Sequence, residues 1–112
     1  MEPTQAKPRV GLEVLVTVVP EGGLSHLGKT SNLSPSGMLL EVRAPLEVGQ
    51  RIQLKLFLPG TTKQIEVSGE ITRGAGSSDG IDRYGVRFVD LPPEVEAELE
   101  RFLAVRLERR RT

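Results

Sequence analysis

The side chains best suited to ligand chemistry lie in one short polar segment, Asn32 to Gly37, which reads Asn-Leu-Ser-Pro-Ser-Gly. Asn and Ser carry hydrogen-bond donors and acceptors that can bind a polar group. A glycine lets another group approach the backbone closely. The same residue types also form tight turns by bonding to their own backbone. Taken alone, the segment predicts a tight turn between two strands, because the pattern Asn-x-Ser-x-x-Gly is weak, and only the surrounding elements raise the prediction of a ligand-binding turn.

Nucleophilic, redox and metal chemistry find little support in the rest of the chain. It has no Cys and a single His, His26, so it can form neither a thiolate site nor a His-rich metal site. The carboxylates Glu66 and Glu70 fall on the solvent face of a predicted strand, and the stretch 79–82 lacks the ligand spacing of a calcium loop. We expect no catalytic residue, no metal site and no cofactor, and therefore no enzyme.

The polar segment lies within a region, residues 12 to 89, in which hydrophobic and polar residues alternate and Gly- or Pro-containing turns separate the runs. A period of two is typical of strands with one face in a core and the other in solvent. Five or six short strands at this spacing predict a small antiparallel barrel or sandwich. The expected strands are Leu12 to Val18, Met38 to Arg43, Ile52 to Leu58, Ile65 to Ile71 and Tyr84 to Phe88, with a short one at Lys29 to Leu33 and a loop at Gly74 to Gly80.

Helical spacing replaces the alternation after Pro92. From Pro93 to about Arg110, hydrophobic residues recur every three or four positions, which predicts an amphipathic helix. Asp90 is the expected N-terminal cap, and an acidic first half followed by a basic end complements the helix dipole. The apolar face is expected to pack on the barrel or to pair with a second copy of the chain. Its members are Val95, Leu99, Phe102, Leu103 and Leu107.

Composition and charge narrow the function classes. Fifteen Lys and Arg balance fifteen Asp and Glu, for a formal net charge of zero, and this removes the overall basic character of a nonspecific nucleic-acid binder. Among the few aromatic residues, only Phe57 falls on a predicted solvent face, so a stacking platform for bases is also missing. No apolar run approaches the ~20 residues of a membrane span. We expect a cytoplasmic domain that neither binds nucleic acid nor inserts into a membrane.

The arrangement of these elements resembles the PilZ domain, a bacterial module that binds the second messenger cyclic di-GMP. The resemblance covers roughly Lys7 to Leu107 and includes the Tyr-Gly-Val-x-Phe ending at Tyr84 to Phe88 and the terminal helix. It implies a six-stranded antiparallel β-barrel with a C-terminal α-helix. The chain then divides into a flexible N-terminal segment carrying part of the ligand motif (1–8), the barrel (9–91), and the helix with its basic tail (92–112).

The family's nucleotide signature is Arg-x-x-x-Arg followed by Asp/Asn-x-Ser-x-x-Gly. Its second half stands here as Asn32, Ser34 and Gly37, and Arg9 matches the second arginine. The first arginine is replaced by Gln5, with Lys7 nearby as a partial substitute. The resemblance implies that these residues, Lys7, Arg9, Asn32, Ser34 and Gly37, bind cyclic di-GMP. An arginine forks onto phosphate and stacks on bases, whereas a lysine supplies only a point charge.

Two functions remain open from the sequence. A stand-alone receptor would bind cyclic di-GMP and signal through an unidentified protein partner. Alternatively, Gln5 marks a degenerate PilZ protein that does not bind the nucleotide and acts as an interaction adaptor in pilus, motility or chemosensory signalling. A homodimer through the terminal helix is compatible with either function. Arg43 and Arg73 end predicted strands and could flank a nucleotide, although such arginines are usually solvated.

Overall fold

Six strands form a closed barrel in the computed structural model, which describes residues 13–60 and 64–111. The elements are β1 (Val14–Pro20), β2 (His26–Thr30), β3 (Leu33–Ser34), β4 (Gly37–Val42), β5 (Arg51–Phe57), β6 (Gln64–Ser78), β7 (Ile81–Val89) and α1 (Pro93–Arg111). The barrel strands pair antiparallel in the order β2-β1-β5-β6-β7-β4, and β4 pairs with β2 to close the ring. The two-residue β3 pairs with β4. The predicted six-stranded barrel with a C-terminal helix is confirmed.

Alternation along each strand fills the barrel interior. In β1, Val14, Val16 and Val18 are buried while Leu15 faces solvent. The same pattern in the other strands produces one continuous apolar cluster, and burying such surface is the main favourable term in folding. Ring closure also pairs the strand edges that would otherwise invite aggregation.

Helix α1 packs on this barrel. Leu99, Phe102 and Leu103 are buried and belong to the same apolar cluster as the strands. The predicted docking of the helix on its own barrel is therefore observed, and homodimer formation through the helix stays a prediction.

The helix start differs from the expectation at Asp90. The Pro92 carbonyl accepts the first helical hydrogen bond, from the Glu96 N–H at 3.0 Å, so Pro92 occupies the cap position and Pro93 the first helical one. Pro suits that first position because its missing N–H would have no intrahelical partner. Asp90 instead adopts a positive φ of 52° and turns the chain from β7 towards the helix. The cap prediction is wrong.

Two strand predictions also need correction. The short strand expected at Lys29 to Leu33 is divided between β2 and β3, because the buried Thr30 accepts a hydrogen bond from the Asn32 N–H on its Oγ1 (3.1 Å) and the chain bends there. The loop expected at Gly74 to Gly80 is mostly strand, since β6 continues to Ser78 and pairs with β7 through irregular register. Only Asp79 and Gly80 turn, both at positive φ, as in two-residue hairpin turns.

Candidate ligand-binding pocket

The turn between β3 and β4 is organised by the hydroxyl of Ser34. Its Oγ accepts hydrogen bonds from the Ser36 N–H (3.3 Å) and the Gly37 N–H (3.2 Å), and it lies within donating distance of the Gly37 carbonyl (3.2 Å). Side-chain bonds of this kind replace backbone bonds in tight turns. Ser34 therefore shapes the loop before any ligand is considered.

Gly37 is required by the contact between β4 and β7. A Cβ built on it would lie 2.2 Å from the Val86 carbonyl oxygen and 3.3 Å from the Arg87 Cα. No side chain fits at that distance, and only glycine lets the two backbones approach so closely. The glycine of the sequence motif thus has a structural reason that is independent of ligand.

Asn32 lies at the start of the same turn with its side chain exposed. Its backbone is held on both sides, since its N–H bonds to Thr30 Oγ1 and its carbonyl accepts the Leu39 N–H at 3.1 Å. Within residues 13–60 and 64–111, no group forms a hydrogen bond with the side-chain amide of Asn32. Because its backbone is fixed and no described residue bonds to its side-chain amide, Asn32 is suited to binding a polar group of a ligand.

A cavity of about 470 Å³ opens beside this turn. That volume falls within the range of about 300–1,000 Å³ typical of small-molecule sites. The structure brings three motif residues, Asn32, Ser34 and Gly37, to its wall, together with positions from β4, β6 and β7. The other lining residues are Ser36, Met38, Leu39, Thr72, Arg73, Gly85, Val86 and Arg87.

The charge of the cavity wall comes from two arginines, Arg73 on β6 and Arg87 on β7. No carboxylate lies among the lining residues that the structure describes. Arg87 forms an ion pair with Glu70, a residue outside the lining set. A wall with two guanidinium groups and several hydroxyl and amide groups favours an anionic, hydrogen-bonding ligand such as a phosphate ester.

The remaining residues singled out from the sequence fall elsewhere. Lys7, Arg9 and the replaced position Gln5 lie outside the described residues. Arg43 donates from Nη1 to the Asp79 carbonyl at 3.2 Å and is not part of the cavity wall.

The sequence indicated Arg73 only weakly and did not indicate Arg87 or Thr72. The outward direction of Arg87 could have been predicted, because it lies between Val86 and Phe88, which are buried. No signal in the sequence placed it beside Asn32, since their proximity depends on the β4–β7 pairing.

An apolar patch lies on the outer face of the neighbouring strands β2, β1 and β5. It consists of Leu15, Leu27 and Phe57, which are 52%, 69% and 39% exposed. Leu15 and Phe57 are direct cross-strand partners. The exposed position expected for Phe57 is confirmed. Beside the patch, a hydrogen bond and charge attraction from Glu13 raise the pKa of Lys29 above its ordinary value of 10.5.

Residues 13–60 and 64–111 contain no group of three or more His, Asp or Glu side chains placed to hold a metal ion. The helix described here is not apolar enough to cross a bilayer.

Comparison with known proteins gives one family and one fold. The family model of the PilZ domain matches residues 3–105. Curated proteins give no significant match.

Among solved structures, the chain is similar to Escherichia coli YcgR in complex with c-di-GMP, at 21% identity and a TM-score of 0.71, covering 88% of this chain and 42% of YcgR. It is also similar to the Bacillus subtilis inhibitor of motility MotI/DgrA, at 17% identity and a TM-score of 0.70, covering 97% of this chain and 54% of that protein. The PilZ domain of CeSA from a cellulose-synthesizing bacterium, at 21% identity and a TM-score of 0.61, matches over 91% of this chain and 99% of its own length. The chain thus spans about half of YcgR or MotI and nearly all of the CeSA domain.

Proposed function

The chain belongs to the PilZ domain family, and from that membership we propose that it is a cytoplasmic cyclic di-GMP receptor that signals by binding a protein partner. The observation that carries the proposal is the cavity of about 470 Å³ at the Asn-x-Ser-x-x-Gly turn, with two arginines and no carboxylate in its described wall. Cyclic di-GMP presents two phosphates and two guanine edges, and the wall offers groups complementary to both.

Each motif residue receives a role in this proposal. Asn32 pairs its exposed amide with a guanine edge. Ser34 holds the turn that presents Asn32, since its hydroxyl is already bonded to the turn backbone. Arg9 forks onto a phosphate or a guanine edge, and Lys7 adds a point charge. Bound nucleotide would draw the segment before β1 against the barrel and thereby create a new surface for the partner.

Isothermal titration of the purified chain with cyclic di-GMP, with GTP as the control, tests the receptor function. We expect saturable binding to cyclic di-GMP alone. Arg9→Ala should then lower the affinity about ten- to a hundredfold or more, because a lost hydrogen bond to a charged group costs about 1.5–3 kcal/mol. Absence of heat with wild-type protein at high ligand concentration would contradict the proposal.

The second candidate is an adaptor that does not use the nucleotide, and two observations favour it. Gln5 replaces an arginine of the family signature, and the apolar patch of Leu15, Leu27 and Phe57 gives a protein-binding surface away from the cavity. Comparison of cells carrying Arg9→Ala with cells carrying Leu27→Glu, in a motility assay, separates the two functions. The receptor needs Arg9, whereas the adaptor works without it and loses activity when Leu27 is charged.

A further inference from the structure

Arg73 points to the opposite side of β6 from the one that unbroken alternation along the extended strand would give. The buried residues Ile65, Val67 and Ile71 alternate, so residue 73 would continue the core face. Instead it is exposed at the cavity wall. The cause is a β-bulge, because Ile71 pairs with Val86 but the next pair is Arg73 with Gly85, which leaves Thr72 as an extra residue. Bulges re-aim side chains in this way and are frequent beside functional sites.

The bulge is held in place by its neighbours. Thr72 Oγ1 donates to the Gly85 carbonyl at 3.1 Å. A Cβ built on Gly85 would lie 3.0 Å from the Arg73 Cγ and 3.2 Å from its Nε. The Arg73 side chain therefore packs over the backbone of Gly85. A larger residue at position 85 would clash with it.

The two cavity arginines differ in how their charge is used. Arg87 is paired with the Glu70 carboxylate. Arg73 has no carboxylate partner among the residues that the structure describes. Its guanidinium is thus the cavity cation available for an incoming anion, and arginine presents a planar fork that matches two phosphate oxygens.

We propose that Arg73 forks onto a phosphate of the bound cyclic dinucleotide. The inference rests on the proposed receptor function. It assigns part of the binding energy to a strand residue outside the sequence motif.

Titration of wild type, Arg73→Ala, Arg73→Lys and Arg51→Ala with cyclic di-GMP tests the proposal. Arg51 is an exposed β5 arginine outside the cavity wall and serves as the matched charge control. We expect Arg73→Ala to weaken binding about tenfold or more and Arg73→Lys to recover only part of the loss, since lysine keeps the charge without the fork. Arg51→Ala should stay within about twofold of wild type. Thermal unfolding of each variant checks that the exposed substitutions leave the fold intact.

The outcomes separate this inference from the receptor function. If wild type binds and Arg73→Ala binds as tightly as Arg51→Ala, the role of Arg73 is wrong and the receptor function stands. If wild type does not bind, both are wrong.

Discussion

Gly37 contributes to the stability of the barrel through its close contact with the Val86 carbonyl. A binding experiment alone would assign the effect of a Gly37 substitution to the ligand. Gly37→Ala places a Cβ against the Val86 carbonyl, where the ideal position is only 2.2 Å from the oxygen, so β4 and β7 must separate. We expect the free energy of unfolding to fall by about 1–3 kcal/mol, the usual cost of overpacking. Urea denaturation without ligand measures it. An unchanged midpoint would show that the strands can shift freely.

Gly74→Ala is the matched control for that experiment. Gly74 also lies in a strand, but nothing comes within 4 Å of a Cβ built there. Its replacement should change the unfolding free energy by less than about 0.5 kcal/mol. Comparison of the two variants shows how much of a binding defect in Gly37→Ala comes from a less stable barrel and how much from a lost contact with the ligand.

At the residue scale, the sequence predicted the contiguous part of the site and not the remainder. Asn32, Ser34 and Gly37 lie in one turn and could be found as a motif. Arg73 and Arg87 join them only through cross-strand pairing around the barrel, which no short-range pattern encodes. Arg73 was expected only at the end of a strand, and its direction could not be predicted because it depends on the bulge at Thr72 within the longer β6.

At the element scale, the buried hydroxyl of Tyr84 fixes the connection between β4 and β5. Its oxygen accepts the Leu46 N–H at 2.9 Å and donates to the Ala44 carbonyl at 3.0 Å. Tyr84→Phe leaves both buried backbone groups without this partner, and we expect a loss of about 1–3 kcal/mol in the unfolding free energy. Chemical denaturation measures the loss.

An exposed hydrogen bond provides the comparison. Gln53 Nε2 donates to Ser68 Oγ at 2.9 Å on the barrel surface, where water replaces either partner. Gln53→Ala should therefore cost less than about 0.5 kcal/mol. Equal costs for Gln53→Ala and Tyr84→Phe would refute the role assigned to burial at Tyr84.

The strands with regular alternation were predicted well, whereas β2 was placed too late in the chain and the extension of β6 was missed. β6 continues through Gly74, Gly76 and three serines or threonines, and none of these shows a hydrophobic period. It remains a strand because β7 pairs with it as far as Ile81, across two register shifts. The Asp79-Gly80 pair is the strongest short signal for a two-residue hairpin turn, and greater weight on it would have predicted the extension.

On the scale of the whole molecule, the cyclic strand order divides the barrel surface into two regions. The cavity lies on β4, β6 and β7, and the apolar patch lies on β1, β2 and β5. A net charge of zero conceals this division, because cavity arginines are balanced by carboxylates elsewhere. The proposed ligand site and the proposed protein-binding surface can therefore be altered by separate substitutions.

The packing of the C-terminal helix on the barrel contributes to the stability of the whole chain. Leu99 is 0% exposed within the barrel's apolar cluster, and Val105 on the same helix is 42% exposed. Leu99→Ala should lower the unfolding free energy by about 2–5 kcal/mol, the cost of a core cavity. Val105→Ala should stay within about 0.5 kcal/mol of wild type.

The dependence of the thermal midpoint on protein concentration distinguishes a helix that docks on its own barrel from helices that pair between copies of the chain. A helix seated within one chain gives the same thermal midpoint at every protein concentration, because folding is then unimolecular. Pairing of helices between copies would raise the midpoint as concentration rises, since association stabilises the folded state by mass action. The burial of Leu99, Phe102 and Leu103 against the strands of the same chain leads us to expect a constant midpoint. A midpoint that rises with concentration in wild type and is constant in Leu99→Ala would instead assign this face to a dimer.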